Sequence, residues 1–314
     1  MKELVSVIVT TYKRPNLLSG AIDSVLSQTY DNIEIIIVDD NDPSSDFRIR
    51  TSELVQTKYG AKENVHYVKM PMNSGACSAR NYGVSVAKGN YINFLDDDDR
   101  LLPKKIELQM DIFLGDKEHK LAAVGCYANV VDNLGHLLYE ERTDIKGNVF
   151  FYQMCDNVAT TSIVLLRKEI YLLSGGFEPM YSSQEHWMLM KLFSICPNYD
   201  YVPEVLVTIY QHSGPRISTN KNWAKGAIQL YNNAAQFYNR FSKDQVIIIK
   251  KKRNSHIIRN LYLCNKSFQA RKYILRRLAI GGKVTLEDFK LYVIFIFGRR
   301  IYKIVRNCFL KRWK

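Results

Sequence analysis

Four consecutive aspartates, Asp96–Asp99, are the residues in this sequence best placed to do chemistry. They directly follow Tyr91–Leu95, five residues suited to a buried strand, and Pro103 follows them. Carboxylates crowded this closely repel one another, and their oxygens are the ligands that divalent cations prefer. In open α/β sheets, ligands bind where loops leave the carboxyl ends of the strands. We therefore expect a metal and ligand site here, with a solvated acidic turn as the alternative.

The elements that position these aspartates are predicted from apolar runs and helical spacing. Leu4–Val9 and Ile33–Val38 are largely apolar, as is typical of parallel strands buried on both faces. Between them, apolar residues recur at helical spacing behind Pro15, which suits the first turn of a helix. Strand, helix and strand in this order predict a right-handed crossover unit of a parallel sheet. Val65–Val68 and Tyr91–Leu95 are predicted as the third and fourth strands.

Further elements are predicted along the rest of the chain. The predicted helices are Phe47–Tyr59, Ala76–Ala87, Pro103–Leu114, an apolar helix Met188–Phe193 opened by Gln184–Trp187, and helices from Trp223. The predicted strands are a hairpin formed by Leu121–Tyr127 and the segments flanking Asp132–Gly135, then Thr161–Leu166 and Val205–Tyr210. No glycine-rich loop follows the first strand. The sequence therefore supports neither a dinucleotide-binding fold nor a P-loop.

The composition is that of an ordinary globular protein, with 46% hydrophobic and 24% charged residues in 314. Its six cysteines include no CxxC pair, which argues against a zinc site or a disulfide framework and fits a reducing cytoplasm. The apolar run near the N-terminus is too short for a signal peptide. Nowhere do 18 apolar residues follow one another, so no membrane-spanning helix is expected.

The net charge of +13 is distributed unevenly. Residues 245–314 contain 19 Lys and Arg but only two acidic residues, whereas residues 1–244 contain 25 basic and 29 acidic residues. This asymmetry predicts an anionic partner for the C-terminal region, either a nucleic acid or a membrane surface.

The last stretch, Lys290–Lys314, favours the membrane. Its apolar residues recur at helical spacing, are flanked by Lys and Arg, and end near Trp313, as in a helix that lies in a membrane interface. A solvated basic face on a packed helix is the alternative. A nucleic-acid-binding tail is disfavoured because no recognised module accompanies the charge.

Six short motifs occur in a fixed order: VSVIVTTYKR, VDDND, NSGACSARNYG, YINFLDDDDRLLP, LSGGF and QEHWMLMKL. Each is weak alone, but together the chain over residues 4–216 resembles the family 2 inverting nucleotide-sugar glycosyltransferases. The resemblance implies a GT-A fold, an open and mostly parallel twisted α/β sheet with helices on both faces, for residues 1–220. Residues 221–314 are expected to form a helical, basic appendage.

The resemblance also implies an activity. The enzyme would transfer a sugar from a nucleotide-diphosphate sugar, with a UDP-sugar favoured, to a glycan acceptor in cell-surface polysaccharide synthesis. A lipid-linked acceptor is favoured because the basic tail predicts a peripheral protein on the cytoplasmic face of the cell membrane. No nucleic-acid partner is expected.

Residues that bind the nucleotide are carried over from the same resemblance. Asp40 would accept from the base, Tyr12 would pack on its ring and Thr10 would help to hold the nucleoside. The alternatives are a helix cap for Asp40 and an ordinary loop aromatic for Tyr12. The segment lining the nucleotide and donor corresponds to Asn73, Gly75 and Arg80. Arg80 could instead pair with a structural carboxylate.

The family's Asp-x-Asp signature corresponds to Asp96–Asp98. It implies that Asp98 binds Mg²⁺ or Mn²⁺ directly, while Asp96 or Asp97 contacts ribose hydroxyls or completes the metal site through water. The metal would stabilise the charge on the departing nucleoside diphosphate. Asp99 is expected either to cap the next helix or to remain solvated.

Inversion requires a base that deprotonates the acceptor hydroxyl. The family's aspartate corresponds here to Glu185, which is one methylene longer, and His186 is the alternative base because its ordinary pKa lies near neutrality. His186 could also be a helix-face residue without a catalytic role. In a loop that closes over the diphosphate in relatives, His212 would bind the metal and Arg216 the phosphate, although a single loop histidine is often incidental.

Two other functional classes compete with this interpretation. A sugar nucleotidyltransferase would need a glycine-rich phosphate loop after the first strand, and VTTYKRPNLL is not one. A catalytically silent membrane-bound scaffold stays open because Glu185 departs from the family's aspartate.

Overall fold

The computed structural model describes residues 2–211 and 222–297 of the chain. Within these ranges the chain divides into two compact units. The first comprises Met1–Phe150, Val158–Pro179 and Glu185–Ser213, and the second comprises Phe151–Asn157, Met180–Gln184 and Gly214–Lys314, in each case without the residues outside the described ranges. His212 and Arg216, both predicted as site residues, lie outside the described residues.

The strands of the described residues form one sheet in the first unit. They are β1 (Val5–Thr11), β2 (Ile33–Asp39), β3 (Val65–Lys69), β4 (Tyr91–Asp96), β5 (Arg100–Leu101), β6 (Leu121–Asp132), β7 (Leu137–Glu141), β8 (Gly147–Asn148), β9 (Leu165–Arg167) and β10 (Asn198–Gln211). The order along the sheet is β3-β2-β1-β4-β9-β6-β10-β5, with β7 beside β6 and β8 beside β10. The first four strands are parallel, and antiparallel pairings through β9 join them to a parallel β6 and β10.

The helices of the described residues connect and flank these strands. They are α1 (Pro15–Leu26), α2 (Asp46–Tyr59), α3 (Gly75–Val86), α4 (Lys105–Gly115), α5 (Phe150–Cys155), α6 (Lys168–Leu173), α7 (Gln184–Ile195), α8 (Trp223–Ala234), a 3₁₀ helix (Ala235–Arg240), α9 (Lys243–Leu263), α10 (Ser267–Leu278) and α11 (Leu286–Phe297). This mixed α/β architecture agrees with the fold class predicted from the sequence.

Two of the predicted strands differ from the structure. At Thr161–Leu166, only Leu165 and Leu166 join a strand, because the Asn93 side chain donates to the carbonyl of Val164 at 3.0 Å, and residues 161–163 form a turn. The strand predicted at Val205–Tyr210 begins earlier, at Asn198, and continues past Pro203. Register shifts on both sides of Val205 accommodate this proline, which has no N–H to donate to the ladder.

A glycine allows the helix that carries Arg80 to lie close to the sheet. Gly83 of α3 faces β1 and β2, and a Cβ atom at this position would lie 2.4 Å from Ile8 Cγ2 and 3.1 Å from Val38 Cγ2. Any larger residue would therefore push α3 away from the strands. The close approach fixes the position of the polar side chains that α3 carries.

A buried lysine connects α4 with the centre of the sheet. Lys105 Nζ donates to Asn93 Oδ1 at 3.0 Å and to Gln109 Oε1 at 2.8 Å, and Gln109 in turn donates to the carbonyls of Val124 and Ile163. Burial lowers the pKa of Lys105 to about 8, against a small opposing effect of Cys126. The lysine is held by amide oxygens rather than by a carboxylate.

The second unit is helical in its described residues. A core of apolar side chains from α8, α9, α10 and α11 holds it together: Ala224, Ala227, Ile257, Ile258, Leu261, Tyr262, Ala270, Ile274, Leu291 and Ile294. The buried Arg253 donates to the carbonyl of Met154 at 2.7 Å within the same unit. The interfacial helix was predicted at Lys290–Lys314, and its residues after 297 lie outside the described residues. Among the described residues, no helix is both long and apolar enough to cross a membrane.

The depressed pKa of Lys105 predicts a pH-dependent stability. Between about pH 8 and the ordinary value of 10.5 the unfolded chain binds this proton and the folded chain does not, so the free energy of unfolding rises with pH. The rise contributed by Lys105 is at most about 1.4 kcal/mol per pH unit. Denaturant unfolding of Lys105→Met at pH 7 and pH 9.5 should lack this contribution. The exposed neighbour Lys104→Met is the control, and an equal pH dependence in both variants would contradict the assignment.

Candidate functional site

The carboxyl ends of β1, β2 and β4 meet at one edge of the sheet. Thr10 is paired with Val38 on one side and with Asp96 on the other, so the loops that follow these strands leave side by side. Thr10 and Tyr12, Asp40, and the four aspartates therefore lie at the same edge, as the sequence predicted. This edge is the expected ligand-binding location of a parallel α/β sheet.

The four aspartates have different environments. Asp96 pairs with Arg80, with its Oδ1 atom 2.7 Å from Nη2. Asp97 is buried and accepts a hydrogen bond from the hydroxyl of Thr11 at 2.8 Å. Asp98 is more accessible and lies 2.6 Å from Nη1 of Arg14. Each of these three aspartates thus has its own partner, and the run is not a uniformly solvated turn.

Asp99 has a structural role that the sequence did not predict. Its carboxylate is buried and accepts hydrogen bonds from the Ser162 hydroxyl at 2.6 Å and from the Tyr210 backbone N–H at 3.3 Å. Burial, together with the charges of Asp96 and Asp98, raises its pKa well above the ordinary value. Asp99 therefore neither caps the next helix nor remains solvated.

Arg14 was not among the predicted site residues. Its Nη1 atom lies 2.6 Å from Asp98 Oδ2 and 3.2 Å from Asp97 Oδ1, so one guanidinium serves two carboxylates. Burial alone would lower the pKa of Arg14, but the attraction of Asp97 and Asp98 outweighs it and raises the pKa. The only sequence signal was a basic residue in the loop that follows β1, at the edge where the aspartates lie.

The buried carboxylate of Asp97 is harder to ionise than an ordinary aspartate. Burial raises its pKa to about 7, and the neighbouring charge of Asp98 adds to this effect. Arg14 and the hydroxyl of Thr11 oppose the rise. The Asp97 carboxylate is therefore oriented by its contacts with Arg14 and Thr11 and has little access to water.

Asp40 lies at the beginning of α3 and accepts hydrogen bonds there. Its Oδ1 atom accepts from the backbone N–H of Ser74 at 2.8 Å, and its Oδ2 atom accepts from that of Gly75 at 2.9 Å and from the Asn73 side chain at 3.0 Å. Gly75 has a φ of +82°, a conformation that favours glycine. These contacts match the helix-cap alternative, and they bring Asp40, Asn73 and Gly75 together.

Burial raises the pKa of Asp40, and the two backbone N–H groups oppose the rise. Each carboxylate oxygen has two lone pairs, so hydrogen bonds within the protein leave capacity for a ligand. Tyr12 lies near the surface, 39% exposed, with Lys13 Nζ 4.9 Å from the centre of its ring.

A buried network below Asp40 supports the end of β2 and was also missed. Asp39 accepts from the Tyr67 hydroxyl and lies 3.2 Å from Nε of Arg48. Arg48 also donates to the carbonyl of Met70 at 2.9 Å and to that of Asn41. Together these bonds fix the turn that presents Asp40.

Arg80 connects the acidic run with the predicted base. The guanidinium is buried, stacks 5.1 Å from the centre of the Phe177 ring and pairs with Asp96. Burial raises the pKa of Glu185, while the charge of Arg80 lowers it and that of Asp96 raises it. Both Arg80 and Asp96 thus lie within electrostatic range of Glu185. A structural carboxylate was the alternative partner expected for Arg80. The carboxylate it pairs with is that of Asp96, which belongs to the acidic run.

The LSGGF motif orients α7, which begins with Gln184 and Glu185. The side chain of Asn81 on α3 accepts from the Phe177 backbone N–H at 3.0 Å and donates to its carbonyl at 2.8 Å. Lys191 on α7 donates to the carbonyl of Gly176 at 2.8 Å and to Glu178 at 2.7 Å. The turn therefore connects α3 to α7, and so Arg80 to Glu185.

The two candidate bases differ in exposure. His186 is buried with 5% of its surface exposed, whereas Glu185 is partly exposed. A second glutamate, Glu141 at the end of β7, lies within electrostatic range of Glu185. Burial, followed by the charge of Glu185, raises the pKa of Glu141 to about 7. Sequence reasoning did not single out Glu141, because neither its neighbours nor its spacing form a motif.

The acidic edge has the donor atoms that Mg²⁺ and Mn²⁺ prefer. Within residues 2–211 and 222–297, no group of three or more His, Cys, Asp or Glu side chains could hold a metal by itself. Mg²⁺ is commonly bound by one or two carboxylates together with the phosphates of a substrate. Asp96 and Asp98, the more accessible carboxylates of the run, fit that kind of site.

The chain matches a known family over its N-terminal half. Residues 6–168 match the sequence model of glycosyl transferase family 2. A protein of Rickettsia typhi, named as an uncharacterized glycosyltransferase, is 29% identical over 96% of this chain and 92% of its own length. The chain therefore belongs to glycosyl transferase family 2, and the protein is a transferase enzyme.

Solved structures show the same fold. TarS of S. aureus, residues 1–349 in complex with UDP-GlcNAc, is 16% identical and aligns with a TM-score of 0.62 over 93% of this chain and 79% of its own. The mannosyltransferase PcManGT of Pyrobaculum calidifontis, in complex with GDP-Man and Mn²⁺, is 15% identical with a TM-score of 0.56 over 99% of this chain and 89% of its own. The GT-A fold predicted from the sequence is confirmed.

The contacts of Asp40 predict a stability effect. Asp40→Ala removes an acceptor from the first backbone N–H groups of α3 and should lower the free energy of unfolding by about 0.5–2 kcal/mol, as for other helix caps. Asp40→Asn keeps one acceptor oxygen and should cost less. The exposed Asp42→Ala is the matched control in denaturant unfolding. Equal stabilities of Asp40→Ala and Asp42→Ala would show that the cap contributes nothing.

Proposed function

We propose that this transferase moves a sugar from a nucleotide-diphosphate sugar to a glycan acceptor with inversion at the anomeric carbon. The observation that carries the proposal is that Arg80 pairs with Asp96 and that both residues lie within electrostatic range of Glu185. It relates the acidic end of β4, where a donor diphosphate would bind, to a carboxylate able to act as a base. Residues 1–220 would form the catalytic domain and residues 221–314 an appended region.

The nucleoside would be bound by Thr10, Tyr12 and Asp40. Asp40 is fixed by Ser74 and Gly75 and retains acceptor capacity toward a base, while the exposed ring of Tyr12 offers a stacking surface. We favour a UDP-sugar. The complex of TarS with UDP-GlcNAc supports this choice, whereas the complex of PcManGT with GDP-Man shows that the fold also serves another base.

Asp98, with Asp96, would hold a Mg²⁺ or Mn²⁺ ion, in line with the Mn²⁺ in the complex of PcManGT. The bound metal would supply positive charge that stabilises the diphosphate as it leaves. His212 is proposed as a further ligand and Arg216 as a phosphate-binding residue, and both lie outside the described residues. Asn73, Gly75 and Arg80 would line the nucleotide and donor.

The proposed base is Glu185. The acceptor hydroxyl would attack the anomeric carbon, its proton would pass to the Glu185 carboxylate, and the bond from that carbon to the diphosphate oxygen would break. Burial raises the pKa of Glu185 toward the range that suits a general base, and Arg80 limits the rise. His186, which is buried, is the weaker candidate.

Replacing the proposed base tests the function. Glu185→Gln keeps the size of the side chain but cannot take the proton, so kcat should fall by about 10²-fold or more while UDP binding changes little. Turnover of UDP-sugars with Mn²⁺, measured as released UDP, gives kcat, and calorimetry gives the affinity for UDP. Glu169→Gln, an exposed glutamate on α6, is the control.

The outcomes separate the alternatives. A normal rate in Glu185→Gln would exclude this base, and loss of the rate in His186→Gln but not in Glu185→Gln would transfer the role to His186. A wild-type protein that releases neither UDP from any UDP-sugar nor GDP from any GDP-sugar, with or without metal, would favour the silent scaffold.

We further propose that the acceptor is a lipid-linked glycan of cell-surface polysaccharide synthesis and that the protein lies on the inner face of the cell membrane. The support comes from the second unit. Large apolar side chains of α10, α11 and the loop between them are exposed: Phe268 at 88%, Leu275, Val284 at 85%, Leu286, Phe289, Tyr292 and Ile296. Basic side chains are exposed among them: Arg271, Lys272, Arg276 and Lys283.

The acidic residues of this region face inward. Glu287 and Asp288 are the two acidic residues in 245–314. Asp288 is buried and pairs with Lys251 at 3.0 Å and with Arg277 at 3.2 Å, and Glu287 pairs with Arg277 at 3.0 Å. The charge left at the surface of α10 and α11 is therefore positive. Exposed apolar and basic side chains together fit an interface of anionic lipid.

Vesicle binding tests this surface. The full chain should sediment with phosphatidylglycerol vesicles but not with phosphatidylcholine vesicles. Arg271→Gln/Arg276→Gln removes two charges worth about 1 kcal/mol each near anionic lipid, so binding should weaken about 30-fold. Phe268→Ser/Phe289→Ser should weaken it as well, and Leu134→Ser/Leu137→Ser, exposed on the β6–β7 hairpin, should not. Undiminished sedimentation of both test variants, or a change in oligomeric state alone, would refute the surface.

A further inference from the structure

The carboxylates of the proposed metal site are already paired with arginines in the structure. Arg14 Nη1 lies 2.6 Å from Asp98 and 3.2 Å from Asp97, and Arg80 pairs with Asp96. A divalent cation that binds Asp98 must therefore compete with a guanidinium for the same oxygens. Direct metal binding to Asp98 therefore depends on whether the guanidinium of Arg14 leaves the carboxylate oxygens.

The two arginines differ in how firmly they are held. Arg80 is buried on α3 and stacked on Phe177, so it stays with Asp96. The side chain of Arg14 is 42% exposed and lies in the loop between β1 and α1. This exposure lets Arg14 turn toward solvent, and the buried Asp97 then needs another cation, which a bound metal would supply. Of the two, it is the one able to exchange partners.

A donor diphosphate would offer Arg14 a new partner. Guanidinium groups bind phosphate oxygens with charge-assisted, often bidentate hydrogen bonds. Binding of a nucleoside diphosphate at the β4 edge would bring such oxygens beside Asp98. The exchange keeps charge balanced at each stage, because the metal takes over the carboxylates while Arg14 takes the phosphates.

We propose that Arg14 makes the binding of divalent metal and of nucleoside diphosphate interdependent, by neutralising Asp97 and Asp98 until a diphosphate draws its guanidinium away. This inference rests on the proposed metal-assisted transfer. Arg14 is in this sense a positioning residue. It keeps the acidic run stable and poorly available to metal without nucleotide, and it joins the site when the donor binds.

Metal binding measured without turnover tests the proposal. Mn²⁺ is titrated into the full chain with and without saturating UDP and followed by electron paramagnetic resonance of free Mn²⁺. In the wild type, UDP should tighten Mn²⁺ binding on the order of tenfold or more. In Arg14→Gln, Mn²⁺ alone should bind on the order of tenfold tighter than in the wild type, and the effect of UDP should shrink.

Two further variants separate charge from structure. Arg14→Lys keeps a positive charge and should restore much of the wild-type coupling, which a merely structural role would not require. Arg50→Gln removes an exposed arginine that bonds to Asn16 on α1 and should behave as the wild type. Equal affinity of Arg14→Gln and the wild type for Mn²⁺ alone would overturn the proposal.

The result also separates this inference from the proposed function. If UDP strengthens Mn²⁺ binding equally in the wild type and in Arg14→Gln, the metal-assisted transferase stands and the role of Arg14 falls. If Mn²⁺ binds neither protein with or without UDP, the metal part of the proposed function fails, and the role of Arg14 falls with it.

Discussion

One buried guanidinium, that of Arg80, holds together the two halves of the site. A buried arginine is stable only if its charge is paired, and here the partners are Asp96 by direct contact and Glu185 at longer range. The close packing of Gly83 against β1 and β2 fixes the helix that carries it. Because Asn81 on the same helix also anchors the turn before α7, one element sets the distance between the acidic edge and the proposed base.

Acidic side chains are paired with basic ones in both units, but the charge left at the surface differs between the units. In the first unit, Arg14 pairs with Asp97 and Asp98 and Arg80 pairs with Asp96, so two guanidinium groups neutralise part of an acidic run. In the second unit, Glu287 and Asp288 are turned inward against Arg277 and Lys251, which leaves positive charge at the surface. The same physical rule, that a buried charge needs a partner, produces an acidic site in one place and a basic surface in the other.

Sequence reasoning recovered what depends on local pattern. Apolar runs predicted β1 to β4, and their order placed Asp40 and Asp96 at one edge of the sheet. It missed what depends on distant pairing. The contact of Arg14 with Asp98 joins residues 84 apart, and the burial of Asp99 depends on Ser162 and Tyr210, which no periodicity connects. The strand predicted at Thr161–Leu166 begins late for the same reason, since the Asn93 side chain of β4 donates to the carbonyl of Val164.

The most direct measurement of the central claim is the stereochemistry of transfer. Proton NMR of the product formed from the nucleotide sugar that supports turnover gives the anomeric configuration of the transferred sugar. A base on the face opposite the diphosphate predicts that the first product has the inverted configuration. Retention of the donor's configuration would contradict the role of Glu185 and the arrangement of the site around Arg80.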